Sequence, residues 1–339
     1  MPADSILQHA VPVAHASDVA VARRAGRNLA IQLGFGETLA ARVELLITEV
    51  STNILKHAGE GEVLLMPVIT GDTPGIEILA LDRGPGIVDI MESLRDGVSS
   101  ADSPGCGLGA LQRLSDELDV YSMPGLGSAI YLCLWATTHQ TAKSFFQHGA
   151  VCLPHPGEEL PGDAWSIQRD RTEAFLLLSD GLGHGPDAAL ASRAAVETFE
   201  QASYTSPQEY IHLAHQALAS TRGAAIGIAK LHVATDEVVF AGVGNISACV
   251  LDGNTRKTLL SHSGIVGQNL RKVQEFTTPL PPMALCILHS DGLDTQWDLN
   301  AYPGLMARHP TLIAGILYRD FSLKRDDVSV LVVRILGGK

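Results

Sequence analysis

The spacing of apolar residues divides the chain into helices, strands and one break. Apolar positions recur every three or four residues over 36–58, which predicts one long helix. Short continuous apolar runs over 76–82, 130–135 and 176–178 predict buried strands instead. The period is lost over residues 137–145, so we expect a first domain at 1–138, a linker at 139–146 and a second domain at 147–339.

Composition narrows the class of protein. With 46% hydrophobic and 18% charged residues, the chain can build apolar cores. A net charge of −13 argues against binding to nucleic acid, which needs clustered Lys and Arg. Five scattered cysteines without a C-x-x-C pair argue against disulfides and zinc. The chain has neither a clear signal peptide nor an apolar run of membrane-spanning length, so we expect a cytoplasmic protein without a membrane partner.

The predicted long helix carries a polar stripe beside its apolar one. Glu49 and Asn53 lie four residues apart on one face, and Lys56 and His57 continue in the same direction. An acid and an amide one turn apart can hold a hydrated Mg²⁺ and orient a nucleophile. Taken alone, this pair is more typical of a solvated helix face.

Two glycine-rich turns follow this helix. The strand ending at Asp82 runs into a turn containing Gly84 and Gly86, where backbone can approach a ligand closely. A second group of glycines precedes a helix, where free backbone N–H groups can bind phosphate. These residues are Gly105, Gly107 and Gly109.

In this order, the three segments resemble the N, G1 and G2 boxes of the GHKL ATPases, which have the Bergerat α/β sandwich fold. The resemblance covers about residues 43–135, and residues 113–135 are similar to bacterial switch kinases and anti-sigma factor kinases, the RsbT- and RsbW-like proteins. It implies that Asp82 binds the adenine amino group, Asn53 ligates Mg²⁺ and Glu49 is the general base. It also implies ATP contacts from Gly84, Gly86, Gly105, Gly107, Leu108 and Gly109.

Histidine kinases share this ATP-binding fold and are the alternative to weigh. The segment before residue 36 is too short for a dimerising hairpin with a phosphoacceptor histidine. The H-R-D and D-F-G signatures of protein kinases are also missing. We therefore expect phosphorylation of serine or threonine on a partner protein.

In the second half, acidic residues follow turns or apolar strands at several separated positions. If these positions lie at one end of stacked sheets, the carboxylates converge, and their repulsion requires a cation. Oxygen ligands favour Mg²⁺ or Mn²⁺ over zinc, and two such ions can activate a water for attack on a phosphoester. A turn or a helix cap is the competing interpretation of each acid alone. The positions are Asp163, Asp180, Asp291, Asp326 and Asp327.

This set resembles the metal-dependent protein phosphatases (PPM), in their SpoIIE-like and RsbX-like branch, over about residues 149–334. The resemblance implies an αββα sandwich holding two Mn²⁺ or Mg²⁺ ions, with Asp326 or Asp327 as the last ligand. The other ligands implied are Asp163, Asp180, the Gly181 carbonyl and Asp291, and the aspartates double as catalytic residues.

This half also departs from related enzymes. No second acid follows Asp163, and no arginine is placed as in the eukaryotic members to bind phosphate. A cysteine-based phosphatase is excluded because no C-x₅-R loop occurs. We interpret His184 as a loop-packing residue, with metal ligand and general acid as alternatives.

Together these features predict a bifunctional serine/threonine kinase and phosphatase that acts on STAS-domain regulators of bacterial partner switching. One alternative is a phosphatase whose first domain only senses nucleotide or binds an anti-sigma partner. Another is a scaffold with two degenerate sites. Whether the chain forms a homodimer is left open.

Overall fold

The computed structural model describes residues 7–94, 107–137, 145–253 and 255–336. The chain divides into two compact units. The first comprises Met1–Thr141 with Ala307–Ile316, and the second comprises Ala142–Met306 with Leu317–Lys339. The sequence did not indicate that residues 307–316 would group with the first unit.

The first unit contains an antiparallel sheet in which neighbouring strands follow the order β1-β2-β3-β5-β4. Its strands are β1 (His9–Val13), β2 (Gly61–Thr70), β3 (Thr73–Asp82), β4 (Glu117–Met123) and β5 (Gly127–Trp135). Both faces of this sheet are buried, as the long apolar runs in β3 and β5 require.

Helices cover one face of the sheet. They are α1 (Ala16–Gln32), α2 (Glu37–Asn53), α3 (Ile90–Ser93) and α4 (Leu108–Leu114). The apolar stripe of α2, including Val43, Leu46 and Val50, is fully buried in the core beneath them. Of the helix predicted over 36–58, Gly36 is the N-cap and the remainder is helical, but its last part, Ile54–Ala58, is a π-helical turn. Such a turn changes the direction of the side chains after Asn53, which the uniform period did not predict.

Residues 307–316 pack on the opposite face of the same sheet. The imidazole of His309 stacks on the ring of Tyr131 with centroids 4.0 Å apart. The Thr311 hydroxyl donates to Glu77 Oε2 at 3.3 Å. At Gly315, a Cβ would come within 2.6 Å of the Leu79 side chain, so glycine permits this close approach.

The second unit contains two sheets. The first has the order β13-β10-β9-β8-β7, with β14 also paired to β10, and the second has the order β12-β11-β15-β16-β6. In chain order the strands are β6 (Phe146–Leu153), β7 (Asp163–Arg169), β8 (Glu173–Gly181), β9 (Ala224–His232), β10 (Glu237–Val243), β11 (Ser247–Asp252), β12 (Thr255–Leu259), β13 (Ser261–His262), β14 (Phe276–Pro279), β15 (Leu285–His289) and β16 (Val328–Ile335).

The three leucines of β8 show how these layers pack. Leu176 and Leu178 belong to one apolar core with residues of the second sheet, whereas Leu177 belongs to another with the helices. Alternation along a strand requires this division, because successive side chains point to opposite faces. The helices are α5 (Pro186–Gln201) and α6 (Pro207–Ala217), with short 3-10 turns at Leu299–Ala301 and Leu305–Ala307. Of α7 (Pro310–Phe321), residues from Leu317 onward belong to this unit and the earlier ones to the first.

No helix among the described residues is both long and apolar enough to cross a membrane.

Candidate active sites

The register of two strands brings the first pair of aspartates together. Asp163 opens β7 and directly opposes Asp180 near the end of β8 in the antiparallel ladder. Because antiparallel partners run in opposite directions, the start of one strand and the end of the next lie at the same edge. Gly181 closes β8, and a Cβ there would lie 2.1 Å from the Ala188 carbonyl oxygen at the start of α5.

The second sheet contributes acids to the same place. Asp180, Asp291 and Asp326 all line one cavity of about 770 Å³. Asp291 follows β15, and its Oδ2 accepts a hydrogen bond from Asn245 Nδ2 at 2.6 Å. Asp327 is instead buried, and its Oδ1 accepts from the His155 N–H at 2.8 Å. Of the two adjacent acids, Asp326 is therefore the one that faces the cavity.

Burial and neighbouring acids both shift the pKa of Asp180 and of Asp163. Burial raises the pKa of Asp180, and the neighbouring charges of Asp163, Asp291, Asp326 and Asp327 raise it further. Burial also raises the pKa of Asp163, while a hydrogen bond from Ser290 lowers it. A group of carboxylates that destabilise each other's charge would be stabilised by a bound cation.

The donors fit a hard divalent ion. The acids lining the cavity offer carboxylate oxygens and no thiolate, which is the donor set preferred by Mg²⁺ and Mn²⁺. No three His, Cys, Asp or Glu side chains in the described part of the chain are already arranged to hold a metal ion.

A buried polar network fixes the orientation of Asp163. Ser290 Oγ donates to Asp163 Oδ2 at 2.7 Å and accepts from the Ser329 N–H at 3.0 Å. Behind it, His289 Nε2 accepts from Trp297 Nε1 at 3.2 Å, and His289 Nδ1 donates to the Ser290 carbonyl at 2.9 Å. Burial lowers the pKa of His289 to about 4, so the imidazole is neutral, as this pattern requires. The sequence did not point to Ser290 or Asn245.

The loop after β8 places a histidine at the cavity. His184 lines it, and its Nδ1 pairs with Glu158 Oε1 at 2.8 Å while its ring stacks on His155 with centroids 4.6 Å apart. Gly185 has a φ of +76°, and a Cβ there would lie 3.0 Å from the Glu158 carboxylate. The packing role expected for His184 is present, but 54% of its side chain is exposed.

In the first unit, Glu49 and Asn53 both lie on α2 and are half-buried. The π-helical turn follows Asn53 directly, and its Ala58 contacts the loop after β3 so closely that a Cβ on Gly84 would lie 2.7 Å from the Ala58 Cβ. The end of α2 and the loop containing Gly84 are therefore adjacent.

Asp82 is the last residue of β3, and backbone donors hold its carboxylate. Its Oδ1 accepts from the Gly84 N–H at 2.8 Å and from the Ser128 N–H at 3.1 Å. Gly86 has a φ of +80°, and a Cβ there would lie 2.5 Å from the Met123 carbonyl oxygen. Only glycine fits this turn without strain.

The third glycine group is described in part. Gly107 is the N-cap of α4, and Leu108 and Gly109 in its first turn are buried. Gly105 lies outside the described residues. Arg42 on α2 anchors the far end of α4 by donating from Nη2 to the Leu114 carbonyl at 2.7 Å.

Comparisons with known proteins match the two halves of the chain to two families. Residues 13–134 match the model of the histidine kinase-like ATPase domain, and residues 170–336 match that of stage II sporulation protein E (SpoIIE). Over 118 residues the chain is 39% identical to the serine/threonine-protein kinase RsbT of Bacillus subtilis (strain 168), covering 35% of this chain and 89% of that kinase. A solved structure from the bacterial stressosome is 27% identical with a TM-score of 0.53, covering 56% of this chain and 99% of that chain.

Fold and site together define a fusion of a GHKL-type kinase domain and a PPM-type serine/threonine phosphatase domain, as the sequence predicted. More narrowly, the chain belongs to the RsbT-like histidine kinase-like ATPase family in its first part, and residues 170–336 match the SpoIIE model. It is a bifunctional protein of the partner-switching type that uses a nucleotide and divalent metal.

Proposed function

We propose that the two units act in opposition on a small STAS-domain regulator. The first unit would phosphorylate a serine or threonine of that regulator with Mg-ATP, and the second would remove the phosphate with two Mn²⁺ or Mg²⁺ ions. The kinase and stressosome proteins to which the chain is similar support this class of partner.

The observation that carries the proposal is the convergence of acids from both sheets of the second unit. Asp163, Asp180, Asp291, Asp326 and the Gly181 carbonyl would hold the ions. Divalent ions bound there would lower the pKa of a coordinated water and so supply hydroxide at neutral pH.

In the first unit, the described contacts support a nucleotide site between α2 and the loop after β3. Asp82 Oδ1 is engaged by backbone donors, so the carboxylate is held in one orientation for adenine. Asn53 would ligate Mg²⁺ and Glu49 would accept the proton of the attacking hydroxyl. Gly107, Leu108 and Gly109 would contact the phosphates, together with Gly84, Gly86 and Gly105.

The test uses the full chain with phosphate removal blocked. Asp291→Asn is incubated with radiolabelled Mg-ATP and candidate STAS proteins, and the label on the partner is measured. We expect transfer that is lost when Asn53→Ala is added to the same chain. Wild type with Mn²⁺ should then release orthophosphate from the labelled partner, and a chelator should stop the release.

Two results would contradict the proposal. If Asp291→Asn binds nucleotide but labels no partner, the first unit is a sensing or anti-sigma binding module. If Asn53→Ala still transfers phosphate, the nucleotide site is elsewhere.

A further inference from the structure

The cavity of the second unit has an unequal distribution of charge. Asp180, Asp291 and Asp326 line it, and of the described lining residues Arg325 is the one Lys or Arg. A phosphoryl group carries two negative charges near neutral pH and would be repelled by these acids. Metal ions neutralise the acids, but the outer oxygens of the phosphoryl group still need donors.

Arg325 is available to supply those donors. Its side chain is exposed at the cavity, and none of the ion pairs in the described part of the chain involves it. A second arginine, beside Gly183 in the loop after β8, differs in this respect, because Arg222 Nη2 pairs with Asp187 Oδ2 at 2.5 Å. A free guanidinium can bind two phosphate oxygens through parallel hydrogen bonds.

The backbone before Arg325 is held in a conformation that non-glycine residues rarely adopt. Lys324 has a φ of +55°. Its Nζ donates to the Tyr318 hydroxyl at 2.8 Å and lies 3.9 Å from the centre of that ring, and Tyr318 is buried on α7. A strained residue anchored by its side chain is typical of a segment that positions a functional group. Here the strained turn leads directly into Arg325 and Asp326.

From this geometry we propose that Arg325 is the phosphate-binding residue of the phosphatase unit, contacting both the phosphorylated substrate and the orthophosphate product. The inference rests on the proposed hydrolysis at this cavity. The sequence has no arginine placed as in the eukaryotic members to bind phosphate. The proposal gives that role to Arg325, in a turn near the end of the chain.

Orthophosphate binding to the Mn²⁺-loaded full chain tests the proposal by calorimetry. We expect Arg325→Gln to raise the Kd for orthophosphate and the KM for a phosphoserine peptide about 10- to 100-fold. Arg325→Lys should lie between wild type and Arg325→Gln, because an ammonium keeps the charge but not the paired hydrogen bonds. Mn²⁺ affinity and Tm should not change, since Arg325 is exposed and is not a ligand.

Arg222→Gln is the matched control and should bind orthophosphate as wild type does. If Arg325→Gln keeps the wild-type Kd and KM while Mn²⁺ binding is intact, the proposal is wrong. If wild type binds Mn²⁺ and binds orthophosphate through Arg325 but hydrolyses no phosphoester, the proposed function fails and the phosphate site stands. A wild-type chain that binds no Mn²⁺ would overturn both.

Discussion

Asp82 and Asp180 both lie near the end of a strand before a glycine-rich turn, yet the two units surround them differently. Two backbone N–H groups donate to Asp82 Oδ1. Asp180 faces other acids, and burial together with their charges raises its pKa. An aspartate at the same kind of position thus accepts backbone hydrogen bonds in one unit and is repelled by other acids in the second.

The difference separates two kinds of site. A carboxylate whose orientation is fixed by backbone donors suits recognition of a neutral group, such as an amino group of a base. A carboxylate opposed by other carboxylates is stabilised only by a positive charge. The surroundings therefore distinguish the proposed nucleotide site from the proposed metal site, although the local sequence patterns are similar.

Replacing Asp180 gives the largest expected effect. We expect Asp180→Asn to reduce Mn²⁺-dependent hydrolysis by about 100-fold or more, because a ligand is lost. The same change should raise the Tm of the chelator-treated chain by several degrees, since it removes a repelled buried charge. Phosphoester hydrolysis and thermal unfolding with and without Mn²⁺ measure the two effects. If Asp180→Asn has a lower Tm than wild type in chelator, the neighbouring acids do not destabilise Asp180.

Asp82→Asn tests whether the aspartate held by backbone donors binds adenine. The amide keeps an oxygen acceptor for the two backbone donors, so the fold should be retained. It also replaces the second oxygen with a donor, which would oppose the adenine amino group. We expect ATP affinity to fall about tenfold or more, measured by calorimetry. Phosphatase activity is the control and should stay at the wild-type level.

Ser290→Ala should give a smaller effect on the metal site. Without the hydroxyl at 2.7 Å, Asp163 Oδ2 loses the bond that fixes its orientation. We expect the Kd for Mn²⁺ to rise about tenfold, the scale seen when groups behind metal ligands are removed. Activity at saturating Mn²⁺ should recover most of its wild-type value. Unchanged Mn²⁺ affinity would show that Ser290 has no positioning role.

Glu77 is an intermediate case, and its replacement should leave both activities unchanged. Hydroxyls of Tyr131 and Thr311 donate to it, but burial still raises its pKa from the usual 4.5 to about 7. The folded state therefore holds a proton that the unfolded state releases between these values. Its contribution to stability is full below about pH 4.5 and is lost as the pH rises to about 7.

Glu77→Gln should remove the loss of stability that Glu77 causes as the pH rises. We expect the free energy of unfolding at pH 8 to increase by about 1 to 2 kcal/mol relative to wild type, with little difference at pH 4.5. Denaturant unfolding at the two pH values measures it. An equal effect at both values would mean that Glu77 does not titrate in this range.

The sequence was sufficient for features that depend on local pattern. Period and turn residues located α2, β3 and β8, and the order of acids and glycines pointed to both families. These signals lie within short segments, where hydrophobic spacing and backbone freedom decide the structure.

Features that depend on pairing between distant segments could not be predicted. Ser290 meets Asp163 across 127 positions of the chain, and His155 meets Asp327 across 172. Neither contact leaves a periodic signal in the sequence. Arg325 was overlooked for a similar reason, because its role depends on the cavity that surrounds it and on the turn at Lys324.

The bond between Ser290 and Asp163 joins the end of a strand in one sheet to the start of a strand in the other. It is a polar contact at one end of two sheets whose facing side chains are otherwise apolar. If the acids of this end bind metal ions as proposed, removing the ions should increase local opening of the backbone there first. The apolar core between the sheets should stay folded. Amide deuterium uptake would then quicken near Asp163 and Ser290 well before the protein melts.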